Sequence, residues 1–172
     1  MKKLAILAVI FCLTLPACAQ TTQADTIPKY KQFPTVPAFT LIAVPDSTKF
    51  TDKDLKKNRP LVLIMFSPDC EHCQRETKNI LANFDSFKKV QIVMATPLDY
   101  SNIKRFYNDY KIADYPNITI GKDNVWFLGN FFQVHNFPTI AVYDKEGQFV
   151  QLFEGSVAVE KIEAALAEKQ QP

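Results

Sequence analysis

Leu61-Val62-Leu63-Ile64-Met65-Phe66-Ser67-Pro68-Asp69-Cys70-Glu71-His72-Cys73 is the stretch that decides the reading of this chain. Its first six residues are apolar without a break, the pattern of a strand buried on both faces. Ser67-Pro68-Asp69 reads as a short turn. Cys70 and Cys73 then open a stretch, 74–88, that reads as a helix. A helix N-terminus carries partial positive charge and unpaired N–H groups, which favour a thiolate over a thiol. The thiolate is the form that attacks disulfides. A strand, a short turn and two cysteines separated by two residues at a helix start therefore point to thiol–disulfide chemistry.

The chain has 172 residues, with 47% hydrophobic and 22% charged residues and a formal charge of +2. These are ordinary globular values, enough for one domain with a sizeable core. Lysines are scattered among acids with no long basic block, which argues against nucleic-acid binding.

The first residues read as an export signal. Lys2 and Lys3 precede an apolar stretch, Leu4 to Leu15, that is short for a membrane span of ~20 residues. Two readings of its end stand side by side. Ala17-Cys18-Ala19 fits a small-x-small cleavage site, giving a signal over 1–19. Leu15-Pro16-Ala17-Cys18 also resembles a lipoprotein signal over 1–17 with Cys18 as a lipid anchor. In either case Cys12 and Cys18 leave Cys70 and Cys73 as the functional pair. Export permits stable disulfides, but one closing so short a loop constrains little of the unfolded chain. Two intervening residues suit reversible chemistry better than stapling.

Outward from the opening stretch, the pattern alternates. A tether is expected over 20–34 and a single domain over 35–172. Residues 38–44 read as a first strand or hairpin, 51–55 as a helical turn, and Asn58-Arg59-Pro60 as the lead into the central strand. Ile80, Leu81, Phe84 and Phe87 recur at helical spacing, and 90–95 is a second apolar strand ended by Thr96-Pro97. Ser101 is expected to cap a helix carrying Ile103, Phe106, Tyr107 and Tyr110. A short strand follows at 118–120, while 126–134 is aromatic and ambiguous. Residues 140–143 and 149–153 flank Asp144-Lys145-Glu146-Gly147 as an antiparallel hairpin. A last helix is expected from near Ser156, with a frayed end over 169–172. The order implies an α/β fold, a central mixed sheet with helices on both faces.

The strand-to-Cys70-x-x-Cys73 junction, the distant Phe137-Pro138-Thr139 and the order of elements resemble the thioredoxin-like superfamily over roughly 35–169. Pro37-Ala38-Phe39-Thr40-Leu41 and Cys73-Gln74-Arg75-Glu76 are most similar to its exported TlpA-like (redoxin) branch. The resemblance implies a thioredoxin-like fold ending in a β-hairpin and helix. It implies an extracytoplasmic thiol–disulfide oxidoreductase, more a reductase than an oxidase. It also implies that Pro138 is cis, lies beside the cysteines and, with Phe137 and Thr139, docks substrate. The implied partners are disulfide-containing proteins and a membrane or envelope thiol donor, with a monomer in the periplasm or cell envelope. No cofactor beyond the Cys70–Cys73 pair is expected, and one cysteine pair beside one histidine does not make a metal site. The chain departs from the family where Asp69 replaces the usual Trp and Ser67-Pro68 the usual small residues.

Cys70 is the expected nucleophile and Cys73 the resolving thiol. A cationic His72 would lower the Cys70 pKa, while Asp69 and Glu71 would oppose it. Glu76 follows Cys73 by three residues, so both share a helix face and the carboxyl could pass protons to or from the thiol. His135 and Trp126 read as a loop histidine and a packing tryptophan. Two alternatives remain. Ser67-x-x-Cys70 echoes peroxiredoxin-like peroxidases, and a binding module could keep the pair as a structural disulfide.

Overall fold

The computed structural model describes residues 27–168. The expected signal with Cys12 and Cys18, the first part of the expected tether and the tail from 169 lie outside the described residues. The elements are α1 (Lys29–Gln32), β1 (Thr40–Ala43), β2 (Lys49–Thr51), β3 (Leu61–Met65), α2 (Glu71–Ala82), α3 (Phe84–Phe87) and β4 (Gln91–Thr96). They continue with α4 (Tyr100–Asp109), β5 (Ile118–Lys122), α5 (Phe127–Phe132), β6 (Thr139–Tyr143), β7 (Phe149–Glu154) and α6 (Val159–Glu168).

All seven strands form one mixed sheet in the order β2-β1-β5-β4-β3-β6-β7. β3, β4 and β5 are parallel, and β6 returns antiparallel to β3. Every residue of β3 is buried, which explains its unbroken apolar run. Val62, Ile64 and Phe66 join Cys73, Ile80, Phe87, Ile103, Phe106 and Ile162, the inner faces of α2, α3, α4 and α6. Leu61, Leu63 and Met65 face the opposite way, onto Phe39, Leu128, Phe131 and Phe132. The expected mixed sheet with helices on both faces is therefore present.

Several boundaries differ from the sequence reading. The helix expected over 74–88 starts earlier, at Glu71, and breaks at Asn83, whose backbone leaves the helical region at φ −108, ψ 28. The Asn83 side chain also donates to the Asn79 carbonyl, closing that turn. Asp99, not Ser101, occupies the N-cap of α4, which leaves Ser101 inside the first turn. The segment 27–34, expected as tether, carries α1, and its Tyr30 ring packs 5.9 Å from Phe132 and 5.3 Å from Phe149. A hydrogen bond from Phe149 N–H to the Pro34 carbonyl (2.7 Å) fastens the arm to the edge of β7.

The ambiguous aromatic stretch resolves into α5, and a buried carboxylate is the reason. Asp123 accepts from the Phe127 and Leu128 N–H groups at 3.0 and 2.8 Å, satisfying two free donors at the helix start. Removing that acceptor strands both donors. Asp123→Ala is expected to destabilise the chain by about 1–3 kcal/mol in urea denaturation, and an unchanged midpoint would contradict the capping role.

Candidate active site

The site lies where β3 ends. Phe66 N–H still bonds to Ala95, and then the chain turns through Ser67-Pro68-Asp69, closed by Cys70 N–H to the Ser67 carbonyl at 3.2 Å. Cys70 is the N-cap of α2 with extended backbone, and its carbonyl accepts the first helical hydrogen bond, from Gln74 N–H at 2.9 Å. The Gln74 side chain reaches back to the Pro68 carbonyl at 2.9 Å, tying the turn to the helix. Both cysteines are free thiols. Cys70 is half-buried, whereas Cys73, one turn inside, is buried.

The antiparallel register places Thr139 opposite Met65, so the segment before β6 meets the turn after β3. The Phe137–Pro138 peptide is cis. The Cys70 thiol donates to the Phe137 carbonyl at 3.8 Å, so the accessible sulfur lies directly against that peptide. Pro138 itself is buried, and its carbonyl accepts from Gly155 N–H at 2.7 Å. Thr139 is buried, with its hydroxyl given to the Asn136 carbonyl at 2.7 Å. Thr139 therefore begins β6 and presents no free group for docking.

The two sulfurs differ in environment. Burial pushes the Cys73 thiol up to about 12, and a hydrogen bond from the Ser67 backbone offsets only part of that shift. Glu76, expected to share a face with Cys73, is 1% exposed. Burial raises its carboxyl, against the pull of Val157 N–H, the Ser156 hydroxyl and the Arg75 charge. Glu76 Oε2 accepts from Val157 N–H at 3.0 Å, while Oε1 is buried without a hydrogen-bond partner. Glu76 and Cys73 lie one turn apart on the same buried face of α2.

The other expected tuning residues have their own partners. Arg75 Nη2 lies 2.6 Å from His72 Nδ1. The His72 ring thus has a polar neighbour on its own helix, one turn on. Asp69 is exposed and paired with Arg105 Nη2 of α4 at 3.0 Å. Glu71 is exposed at the first position of α2, where its charge suits the helix end.

Three participants escaped the sequence reading. Ser67 contributes a backbone group to the buried sulfur, which no side-chain pattern can signal. Ser156 and Val157 belong to the loop before α6, and Ser156 Oγ donates to the His72 carbonyl at 3.1 Å. The left-handed Gly155, φ +78, was the available signal that the chain turns sharply there. Among the described residues no cluster of His, Cys, Asp and Glu is able to hold a metal ion, and no helix is long and apolar enough to cross a membrane.

With this geometry described, residues 51–170 match the family model of the thioredoxin-like domain. No curated protein sequence matches the chain. Among solved structures, a secreted Mycobacterium tuberculosis disulfide oxidoreductase homologous to E. coli DsbE superposes with TM-score 0.61 at 17% identity, covering 77% of this chain and 95% of that one. StoA from Bacillus subtilis gives 0.55 at 18%, covering 77% and 98%. The exposed lipoprotein thioredoxin of Streptococcus pneumoniae gives 0.55 at 23%, covering 76% and 100%.

The unequal burial of the thiols has a direct readout. Brief alkylation of the reduced, folded chain near pH 7, followed by peptide mapping, should label Cys70 and leave Cys73 unmodified until denaturant is added. Equal labelling of both would contradict the assignment. Glu76 gives a second test. Its folded carboxyl titrates above its unfolded value of 4.5, so the folded state holds the proton more tightly. Stability is then greatest below that value and falls as pH rises through the raised one. Replacing Glu76 by Gln removes this dependence, so Glu76→Gln should gain on the native chain as pH rises from 4 to 8. A gap that is flat with pH would refute it.

Proposed function

Starting from a chain that belongs to the thioredoxin-like family, we propose that it is an exported thiol–disulfide oxidoreductase that reduces protein disulfides. The observation that carries the reading is the Cys70 thiol, half-buried and 3.8 Å from the Phe137 carbonyl of a cis peptide, with Cys73 buried one helical turn behind it.

The steps follow from that geometry. Cys70 loses its proton and attacks one sulfur of a substrate disulfide. The first substrate sulfur leaves and takes up a proton, and a mixed disulfide remains on Cys70. Cys73 then gives its proton to Glu76 and attacks the Cys70 sulfur. The second substrate sulfur leaves and is protonated from solvent, and Cys70–Cys73 becomes the disulfide. Two electrons pass from the dithiol to the substrate, and Glu76 returns its proton to solvent. A thiol held near 12 is a poor nucleophile at neutral pH. A nearby carboxyl with a raised pKa is suited to take its proton only when it must react. The Phe137 carbonyl, at present occupied by the Cys70 thiol, becomes available to a substrate backbone once the sulfur is engaged.

Export is supported by the signal pattern of the first residues, and the secreted or exposed neighbours agree with it. In that compartment the Cys70–Cys73 disulfide needs a thiol donor in the membrane or envelope to return it to the dithiol. The TlpA-like motifs fit this reducing role, with Cys18 as the point of lipid attachment in the lipoprotein reading and a monomer as the working form.

Insulin-disulfide reduction tests the reading. Cys70→Ser should lower the rate at least a thousandfold, whereas Cys73→Ser should accumulate mixed disulfides seen by non-reducing electrophoresis; these magnitudes are on the order of those for removing an essential nucleophile. Full activity in Cys70→Ser would refute it. A Cys70–Cys73 potential below about −300 mV would mark the pair as a structural disulfide.

A further inference from the structure

The arm that precedes β1 is fixed to the domain by one face and open on the other. α1 is a single turn of four residues, about 6 Å long. Tyr30 supplies its inner face, against Phe132 and Phe149. Two backbone hydrogen bonds hold the segment that follows, from Phe149 N–H to the Pro34 carbonyl at 2.7 Å and from Val36 N–H to the Gly147 carbonyl at 3.1 Å. The turn also closes on itself. Phe33 N–H donates to the Lys29 carbonyl at 2.9 Å, and the Gln32 side chain donates to the Ile27 carbonyl.

The outer face has an unusual composition. Among the described residues four large apolar side chains are exposed, and two of them, Ile27 and Phe33 at 61% each, stand at the two ends of this one turn. Lone exposed apolar residues are ordinary on a protein surface. Here the two share the turn with Lys29 and Lys31, both exposed. Lys31 Nζ lies 5.9 Å from the centre of the Tyr30 ring. No Asp or Glu occurs from Ile27 to Pro45, so nothing along the arm offsets the two cations. The contacts of Tyr30 account for the docking of the arm, but they leave Ile27 and Phe33 in water. Apolar side chains beside lysines on a fixed turn are the composition of a segment that rests in a lipid headgroup layer.

The chain upstream identifies the occupant. In the lipoprotein reading Cys18 carries the lipid, and the stretch from Cys18 to Ile27 spans no more than about 32 Å even when fully extended. The arm is then the first part of the domain to meet the bilayer. We propose that Ile27, Lys29, Lys31 and Phe33 form a contact surface for an anionic phospholipid bilayer, the apolar side chains entering the headgroup layer and the lysines facing lipid phosphates. This goes beyond the redox reading and draws on export alone for access to the lipid. It also orients the site. The arm is fastened at the hairpin beyond Tyr143, whereas Cys70 lies near Thr139, at the other end of β6. A domain seated by its arm holds the reactive sulfur away from the membrane.

Vesicle flotation of the unlipidated mature chain, 20–172, tests the contact. The native chain should float with vesicles of one part phosphatidylglycerol to two parts phosphatidylcholine, and at least tenfold less with pure phosphatidylcholine. Raising salt from about 0.05 to about 0.5 M should weaken the binding, because it shortens the reach of the lysine charges. Lys29→Gln with Lys31→Gln, and separately Ile27→Ser with Phe33→Ser, should each lower the partition coefficient about tenfold, on the scale of two surface cations or two partly buried apolar side chains. All four positions are exposed, so the urea midpoint and insulin reduction should not move in either variant. Equal flotation with both lipid compositions, or native binding in both variants, would overturn the contact. A dimer in sedimentation that Ile27→Ser with Phe33→Ser dissolves would assign the face to a second copy of the chain and overturn it as well. Insulin reduction by the native chain needs no vesicle, so a failure of the redox reading is seen separately.

Discussion

The burial of β3 on both faces is the constraint on which the site depends. Because Leu61, Leu63 and Met65 enter one core and Val62, Ile64 and Phe66 the other, a slip of one residue would exchange the two sets. The pairing with β4 and β6 is therefore held, with Met65 opposite both Ala95 and Thr139. That register brings the end of β3 to the start of β6. Cys70 and the cis Phe137–Pro138 peptide meet because two strands far apart in the chain have no other favourable alignment.

The same packing divides the cysteine pair. Docking α2 through Cys73, Glu76, Thr77 and Ile80 draws the second sulfur out of water while leaving the first at the helix tip. Burial then sets opposing demands on the inner pair of groups. A thiol at Cys73 and a protonated Glu76 are the forms that burial favours, yet Val157, Ser156 and Arg75 keep the ionised carboxyl within reach. The arrangement gives up some stability at neutral pH, since ionising a buried carboxyl with one unpartnered oxygen opposes folding. A site that must hold and release a proton has a use for that compromise, whereas a purely structural helix face would carry an apolar residue there.

The surface around the accessible sulfur repeats this division on a larger scale. Ion pairs such as Asp69–Arg105 join α2's leading turn to α4, on the charged side. The opposite side is built from α5 and its preceding loop, which Asp123 caps and Gly129 accommodates. The charged turn and the aromatic segment thus meet at Cys70 and Phe137 from different parts of the fold.

Much of this was legible along the chain because it is local. The unbroken run of β3, the two cysteines at a helix start, the hairpin around Asp144 and Gly147, and the apolar faces of α4 and α6 all follow from periodicity and turn chemistry over a few residues. So did the thioredoxin-like order of elements. Other features have no local signature. The helical state of 127–132 needed a buried Asp123 to satisfy its first N–H groups, and the docked arm at 27–34 needed Phe132 and Phe149 to receive Tyr30. The Arg75 guanidinium beside the His72 ring likewise became visible only in the fold. The burial that separates Cys70 from Cys73, the carboxyl of Glu76 set against a loop eighty-one residues away, and the indole laid on Phe137 were decided only by tertiary structure. Desolvation and long-range contact depend on what the folded chain places around a group, and a residue's neighbours in sequence do not fix that.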